Sequence, residues 1–435
     1  MLPQSLLECL SALQPCFTAP SHGRFLTLVS GWLLCLGKRT VTGVIRAAGA
    51  ADQDPSAFHR FFSRGAWCPE EVGLSLLPIV LRLVGRTPRV ALTLDDTLAR
   101  HTGKHIAGAG MHRDPLLSTG AKPYFHFGHD WVVLAVAVVL PWGKTYSLPV
   151  LARLYRGPKT AIKEGVEHHK RTELAAQMLA KLAENAPKTR FVVFADNAYV
   201  NRSIVQQLPE TIHLVGRGRM DAALYAPPPP YPGMGRPRVR GERLDSPQQR
   251  ASKGRWRRVD VQLYGRPATV RVKVFDALWY IVGKGRKMRF VIVRDWPGHA
   301  KDDVLVSTDL TLTAQQVIEG YCTRWSIEET FGWVKSRLGF EDPHNRTAHA
   351  VERTAPMALW SYSLVVVWYA QWARRRRTLP FRAGSWNRTK AQPSFADMLA
   401  TLRRQSWEIW VSDQAQNGRL DQNSLAPLLD VAGYG

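Results

Sequence analysis

The sequence predicts an α/β fold: a mixed sheet flanked by helices, with a β-rich insertion and a helical N-terminal domain. Three observations predict it. Between residues 88 and 220, unbroken apolar runs of strand length alternate with helical stretches, the pattern of a sheet covered on both faces. A proline run at 226–233 stops that alternation, and Arg-rich β-forming segments follow it to about residue 300. Ahead of residue 88, apolar side chains recur at helical spacing.

Composition bounds the partners. Of the 435 residues, 45% are hydrophobic and 22% charged, so there is ample material for a core, and disorder as the main state is excluded. At roughly 100–200 residues per domain, the length allows about two to four domains. Lys and Arg number 59 against 35 Asp and Glu, a formal net charge of +24. Such an excess points to a polyanion, nucleic acid first and an anionic membrane surface second. The five cysteines are scattered, with no C-x-x-C pair. They support neither a zinc ribbon nor a disulfide framework and fit a reducing cytosol. No signal peptide is expected, because no basic region followed by an apolar run and a cleavage site opens the chain. The longest apolar stretch, 355–372, contains Ser361, Tyr362, Ser363 and Gln371 and runs into Arg374–Arg377. A buried core helix ending in a solvated basic run is expected there rather than a membrane span.

Residues 1–85 read as a helical domain. Phe25, Leu28, Val29, Trp32 and Leu33 recur at helical spacing, and a second helix covers 40–47. Asp54 and Pro55 supply an N-cap and a first-turn proline for another helix, which carries His59, Arg60 and Arg64. Helix, turn and basic helix make the outline of a helix-turn-helix DNA reader, with His59 and Arg60 as candidate contacts. The first part of the core, 86–220, opens with a strand at 89–96 that ends in Asp95 and Asp96. Strands at 131–140 and 145–151, a helix at 171–184, a strand at 191–195 ending at Asp196, a helix at 199–208 and a strand at 212–215 follow. Residues 221–302 form the basic β-rich insertion, with strand-forming segments at 259–263, 269–274, 279–282 and 289–293. The core resumes over 303–375 with a long helix, N-capped by Thr313 and running to about Leu338, and a further helix at 351–374. A helical tail, 376–435, with a helix at 394–404, closes the chain.

Acids are scarce in so basic a chain, which makes their positions informative. Asp95/Asp96 and Asp196 each end an apolar strand, and the carboxyl ends of strands line the ligand crevice of open α/β sheets. On a helix, Tyr321, Arg324, Glu328 and Lys335 fall on one face, while Trp325, Ile327, Phe331 and Val334 lie largely elsewhere. One acid, two cations and a phenol on one stripe suit phosphoryl transfer. Three carboxylates can hold two Mg2+ ions about 4 Å apart, one activating a water or 3′-hydroxyl and the other stabilising the leaving oxygen. Arg and Lys beside the third acid would clamp the phosphates. Without a cation, acids so close would repel one another and bind protons.

Tyr321-x2-Arg324-x3-Glu328-x6-Lys335, with Arg324-Trp325-Ser326-Ile327-Glu328-Glu329 inside it, resembles the Tyr-Arg-Glu-Lys signature of bacterial insertion-sequence transposases with a DDE active site, of the insertion-sequence 701-like, cut-and-paste kind. Asp95-Asp96-Thr97 is similar to that family's first-acid motif, Asp-x-Thr, which selects Asp95 over Asp96. The segment from Phe194 through Asp196 to Tyr199 is similar to its second-acid strand, and the resemblance runs from about 88 to 375. It implies an RNase H-like fold with a β-rich insertion between the second Asp and the Glu. It implies cleavage of transposon ends and joining of the 3′-hydroxyl to target DNA, with Asp95, Asp196 and Glu328 as catalytic residues holding two Mg2+ ions, Mn2+ being a substitute. Phosphate contacts pass to Tyr321 and Arg324, and positioning of the DNA end to Lys335. Trp325 stands where the signature carries its tryptophan, and some relatives stack tryptophans on a flipped base. Trp256, Trp279 and Trp296 are further candidates, with core packing expected for at least two. A homodimer on paired ends, in a bacterial cytoplasm and associated with the nucleoid, is also implied. The alternatives are a structure-specific nuclease on the same fold and a domesticated DNA-binding protein without catalysis; the presence of all three acids speaks against the latter.

Arg236, Arg238, Arg240, Arg243, Arg255, Arg257 and Arg258 make the insertion the most basic segment, suited to phosphate contact, and Arg217 is a further candidate. Gly143-Lys144-Thr145 has Val138 where a P-loop needs a glycine, so no nucleotide cofactor is expected. His101/His105, His126/His129 and His168/His169 lack a completing cysteine or carboxylate, so zinc is not expected. Gly103-Lys104, Gly108-x-Gly110 and Arg113 form a basic glycine-rich loop after the first acid, fit either to track a DNA backbone or to form a surface hairpin.

Overall fold

The computed structural model describes residues 2–416 apart from 104, 115, 116, 120, 232, 375, 377, 378, 380 and 382–389. Lys104, Arg375, Arg377 and the tail beyond 416 lie outside the described residues.

Five helices open the chain: α1 (Gln4–Ser11), α2 (Ala19–Leu34), α3 (Val41–Ala47), α4 (Pro55–Ser63) and α5 (Pro69–Leu81). Two of their caps follow from residue type. Thr40 Oγ1 accepts from the Gly43 amide at 3.2 Å, and Asp54 Oδ1 from the Ser56 amide at 2.9 Å. Gly31 lets α2 and α3 meet backbone to backbone, since a Cβ there would run into the Val44 carbonyl.

The first half of the sheet contains β1 (Val90–Arg100), β2 (Gly110–Arg113), β3 (Phe125–Val139), β4 (Thr145–Tyr155), β5 (Phe191–Ala195) and β6 (Ile212–Arg217). Helices α6 (Pro158–Glu164), α7 (Arg171–Asn185) and α8 (Arg202–Val205) lie between them in sequence. Then come β7 (Leu224–Tyr225), β8 (Arg243–Leu244), α9 (Pro247–Ser252), β9 (Arg257–Leu263), β10 (Arg266–Leu278), α10 (Tyr280–Gly283), β11 (Lys287–Arg294) and β12 (Asp303–Ser307). The chain closes with α11 (Ala314–Thr323), α12 (Trp325–Leu338), α13 (Ala348–Ala373) and α14 (Phe395–Gln416).

Among the described residues these strands make one sheet in the order β2-β3-β1-β5-β6-β12-β11-β10-β7-β8, with β4 on β3 and β9 on β10. β3 is antiparallel to both β4 and β1, whereas β1, β5 and β6 are mutually parallel. The β-rich segment is therefore continuous with the core sheet through the β6–β12 and β12–β11 ladders. The N-terminal helices also share the core: α2, α4 and α5 pack on α13, and α5 packs on β4. One buried apolar cluster runs from Leu2 through the sheet and α13 to Leu402. A second, with Val192, Phe194, Val291 and Ile318, lies between the sheet and α11. The α13 helix is the buried core helix expected of the long apolar stretch; Tyr362, Trp368 and Tyr369 are inside it. No helix among the described residues is long and apolar enough to cross a membrane.

Several elements run beyond their expected bounds, as β3 from Phe125 and α14 to Gln416 do, and four further differences alter the course of the chain. β1 does not stop at its acids but continues to Arg100, because its pairing with β3 persists to Arg100↔Gly128 after its pairing with β5 has ended at Leu94↔Ala195. The helix expected at 199–208 shrinks to a tight turn, Asn197–Tyr199, and the short α8, which Asn201 caps through Oδ1. Residues 280–283 form a helical turn, not a strand, since the chain must reverse between the long β10 and β11. The long helix is split at Arg324, where the bonds tighten to Arg324 N–Tyr321 O at 3.1 Å and Ile327 N–Arg324 O at 3.0 Å.

Candidate active site

The parallel ladders of the sheet bring three strands into line where the β1–β5 pairing ends. Leu94 pairs with Ala195, and Ala195 pairs with Gly216. The next residue on each strand is Asp95, Asp196 and Arg217. Neighbouring strands are about 4.8 Å apart, so two carboxylates and a cation start from adjacent backbones. The Asp196 carboxylate is not used to cap the turn that follows it.

The third acid arrives on α12. Thr313 opens α11 with a capping box, its hydroxyl on the Gln316 amide and Gln316 Oε1 on the Thr313 amide. Gly320 seats α11 on β5, because a Cβ there would collide with the Phe194 ring. At the junction of α11 and α12, Arg324 Nη1 lies 2.8 Å from Asp95 Oδ2 and 2.8 Å from Glu328 Oε1. Residues more than two hundred positions apart thus share one guanidinium nitrogen, and their oxygens are no farther apart than twice that distance. Arg324 Nε is buried without a hydrogen-bond partner. Burial disfavours the Arg324 charge, but Asp95, Tyr321 and Glu328 more than offset this and its pKa is raised. Burial, then the neighbouring Asp96 charge, pushes the Asp95 carboxyl up to about 7 against the pull of Arg324.

The other signature side chains meet the same edge. The Arg324 guanidinium lies 5.8 Å from the Tyr321 ring centre, and Trp296 meets that ring edge-on at 6.2 Å. Lys335 Nζ donates to the Leu98 carbonyl of β1 at 2.7 Å, and burial lowers its pKa. Trp325 is 48% exposed. Its neighbour is Tyr264, 55% exposed at the tip of the β9–β10 hairpin, edge-on at 6.4 Å and 78°. Tyr264 has φ +52°, a left-handed conformation unusual for an aromatic residue.

Asp96 faces away from this group. Tyr199 Oη donates to Asp96 Oδ1 at 2.7 Å, and Arg171 Nε lies 3.5 Å from Asp96 Oδ2. Arg171 also pairs with the buried Asp130, its Nε at 2.6 Å. Burial, then the Asp96 charge, holds the Tyr199 phenol well above its ordinary pKa, so it remains a donor. The choice between the two adjacent aspartates is thus geometric: Asp95 shares its cation with Glu328 and Asp96 does not.

Several candidates fall elsewhere. Trp279 and Trp296 are buried, and Trp256 lies under Lys273 and Arg294 at 4.6 and 4.1 Å. Arg255, Arg257 and Arg258 are exposed on and before β9, which packs beside α11. His59 and Arg60 are exposed on α4, which packs on α2, α3 and α13, none of which carries a candidate acid. Lys144, in the turn between β3 and β4, pairs with Glu329 at 2.8 Å, whereas Glu328 shares Arg324 with Asp95. Sequence reasoning missed Tyr264, whose signal is the Tyr-Gly pair between two strands. It also missed Asp303, which holds Arg217 and His299 together. Arg171 and Asp130 left no local signal, since each acts on residues far away in sequence; Tyr199 lay in the segment read as the second-acid motif, but nothing there announced its bond to Asp96. Among the described residues, no group of three His, Cys, Asp or Glu side chains stands ready to hold a metal ion; Arg324 lies between two of the acids.

A family model described as DDE superfamily endonuclease matches residues 12–274, a span that contains Asp95 and Asp196 and ends before Glu328. No curated protein matches the chain.

Proposed function

The chain belongs to the DDE superfamily endonucleases, and from that premise we propose that it is a cut-and-paste DNA transposase with an RNase H-like core, whose catalytic residues are Asp95, Asp196 and Glu328. The observation that carries this reading is the meeting of Asp95 and Glu328 on Arg324 beside the strand-end row of Asp196 and Arg217.

The donor set fits divalent metal. It is made of carboxylate oxygens alone, which suit hard cations such as Mg2+, with Mn2+ as a substitute. Burial is the main cause of the raised Asp95 pKa and the neighbouring Asp96 charge the second, and a divalent cation beside it would favour the ionised carboxylate. Asp95, Asp196 and Glu328 would hold two ions, which when bound activate the attacking oxygen and stabilise the leaving one. The chain's own cations do the rest. Arg324, with an unpartnered Nε, and Tyr321 bind the phosphate at the cut, Arg217 takes the neighbouring phosphate, and Lys335 orients the DNA end. Trp325 and Tyr264 offer exposed rings on which an unpaired base stacks. Arg255, Arg257 and Arg258 extend the phosphate contacts along β9, and His59 and Arg60 belong to an N-terminal DNA-binding region. In the cut, water attacks phosphorus, the P–O3′ bond breaks and the 3′ oxygen leaves with a proton. In the joining step that 3′-hydroxyl attacks a target phosphodiester, forming one P–O bond and releasing one target 3′ oxygen. Two copies of the chain on paired ends would make the two cuts.

The test uses the full chain, labelled DNA carrying the ends of its own element, and Mg2+. Cutting and joining are expected, and Asp95→Ala, Asp196→Ala and Glu328→Ala should each lower both by at least about a hundredfold. Cutting without joining would make the chain a nuclease. Salt-sensitive binding with no chemistry would make it a DNA-binding protein only.

A further inference from the structure

The ladder between β1 and β5 ends at Leu94↔Ala195, one residue before the two acids that the proposed function places on metal. From Asp95 onward β1 stays with β3, while the chain after Asp196 turns through Asn197–Tyr199. The ladder brings the two backbones side by side, but no ladder bond spans Asp95 and Asp196 themselves, which leaves their fine spacing to the groups around them.

The side chains next to the acids supply it. Tyr199, fully buried, sends its hydroxyl across the gap to Asp96 Oδ1 at 2.7 Å. The same residue's amide donates to the Asp196 carbonyl at 3.0 Å. On the other side, the Asp96 amide donates to Asp95 Oδ1 at 2.9 Å. A continuous path results: Asp95 to Asp96 through the peptide and that amide, Asp96 to Tyr199 through the phenol, Tyr199 to Asp196 through the turn. Arg171 fixes the far side of Asp96 and is itself held by Asp130 and the Tyr155 ring, 4.3 Å away.

We propose that the Asp96–Tyr199 hydrogen bond is a spacer that sets the distance between Asp95 and Asp196 and thereby their joint grip on divalent metal. Asp96 and Tyr199 are positioning residues, not ligands. The proposal rests on the metal-dependent reading above. Groups that orient metal ligands typically cost roughly 10–100-fold in affinity when removed.

The experiment is a calorimetric titration of the full chain with Mn2+, alongside steady-state DNA cleavage. Tyr199→Phe keeps the ring and removes only the donor. It should weaken Mn2+ binding roughly tenfold and lower the cleavage kcat in proportion, with KM for DNA unchanged. Asp96→Ala should match it, and the double variant should be no worse than either single one, since both break the same bond. Asp96→Asn, which still offers an oxygen to the phenol, should regain much of the loss. Were Asp96 a ligand instead, Asp96→Asn would abolish binding while Tyr199→Phe spared it, and the spacer would be overturned. Unchanged Mn2+ affinity in Tyr199→Phe, with Asp95→Ala abolishing binding, would overturn the spacer alone. Undiminished Mn2+ binding in both Asp95→Ala and Asp196→Ala would overturn the metal reading and the spacer with it.

Discussion

Replacing Ser147 by alanine tests how α12 is held against the sheet. Three hydroxyls form a chain: Thr93 Oγ1 is 2.7 Å from Ser147 Oγ, which is 2.6 Å from Ser326 Oγ, which donates to the Thr323 carbonyl at 2.8 Å. A carbonyl only accepts, so the order that satisfies every group sends each proton from Thr93 towards Thr323. Thr93 and Ser147 have no exposed surface. Ser147→Ala spares the Ser326 bond to Thr323 but leaves the Thr93 hydroxyl buried without an acceptor. A buried donor left unpaired costs about 1–3 kcal/mol, and the lost bond to Ser326 adds about 1 kcal/mol. The expected loss of stability is therefore about 2–4 kcal/mol. Thr93→Val combined with Ser147→Ala removes both hydroxyls at nearly constant shape and should be more stable than Ser147→Ala alone, by about 1 kcal/mol or more. Urea titration followed by tryptophan fluorescence reads both, provided the slopes agree. Additive losses in the double variant would refute the coupled chain. The chain matters for the site because Thr93 lies two residues before Asp95, and Ser326 two before Glu328.

Two further outcomes follow from buried groups. His129 is buried, its Nε2 2.8 Å from the Ala107 carbonyl, and burial followed by the His101 ring pushes its pKa down to about 3. The unfolded chain takes up this proton near 6.5 and the folded chain does not, so stability is full above that pH and falls as pH drops towards about 3. His129→Gln should flatten that fall in urea midpoints measured between pH 7 and 4, and an unaltered fall would show that His129 does not cause it. Gly31→Ala should lower the thermal midpoint despite alanine's better helix propensity, since overpacking costs about 1–3 kcal/mol where helix propensity returns about 1; a raised midpoint would show that α2 and α3 can separate freely.

Legibility varied with the range of the cause. Phe191–Ala195 was readable to the residue, because a strand covered on both faces is apolar throughout and its end is marked by Asp196. The caps at Asp54 and Thr313 were readable because a cap is a contact within three residues. The end of β1 was not, since Arg100 stays in the sheet through pairing with Gly128, and no residue near Arg100 announces that partner. The split at Arg324 was equally hidden, for its dihedral angles are still helical and only the hydrogen-bond spacing changes.

The sequence by itself determined the chemistry available: a strongly basic chain, acids directly after apolar runs, and Tyr321, Arg324, Glu328 and Lys335 at helical spacing. Spacing along one element is a local property, and residue type and period suffice to state it. Only the tertiary structure decided which aspartate of the adjacent pair turns towards Glu328, which tryptophans are buried, and that Tyr264 stands beside Trp325. Those outcomes depend on strand register and on how α12 lies across the sheet. Both are set by contacts between residues far apart in the chain, and such contacts leave no periodic trace near the residues they position.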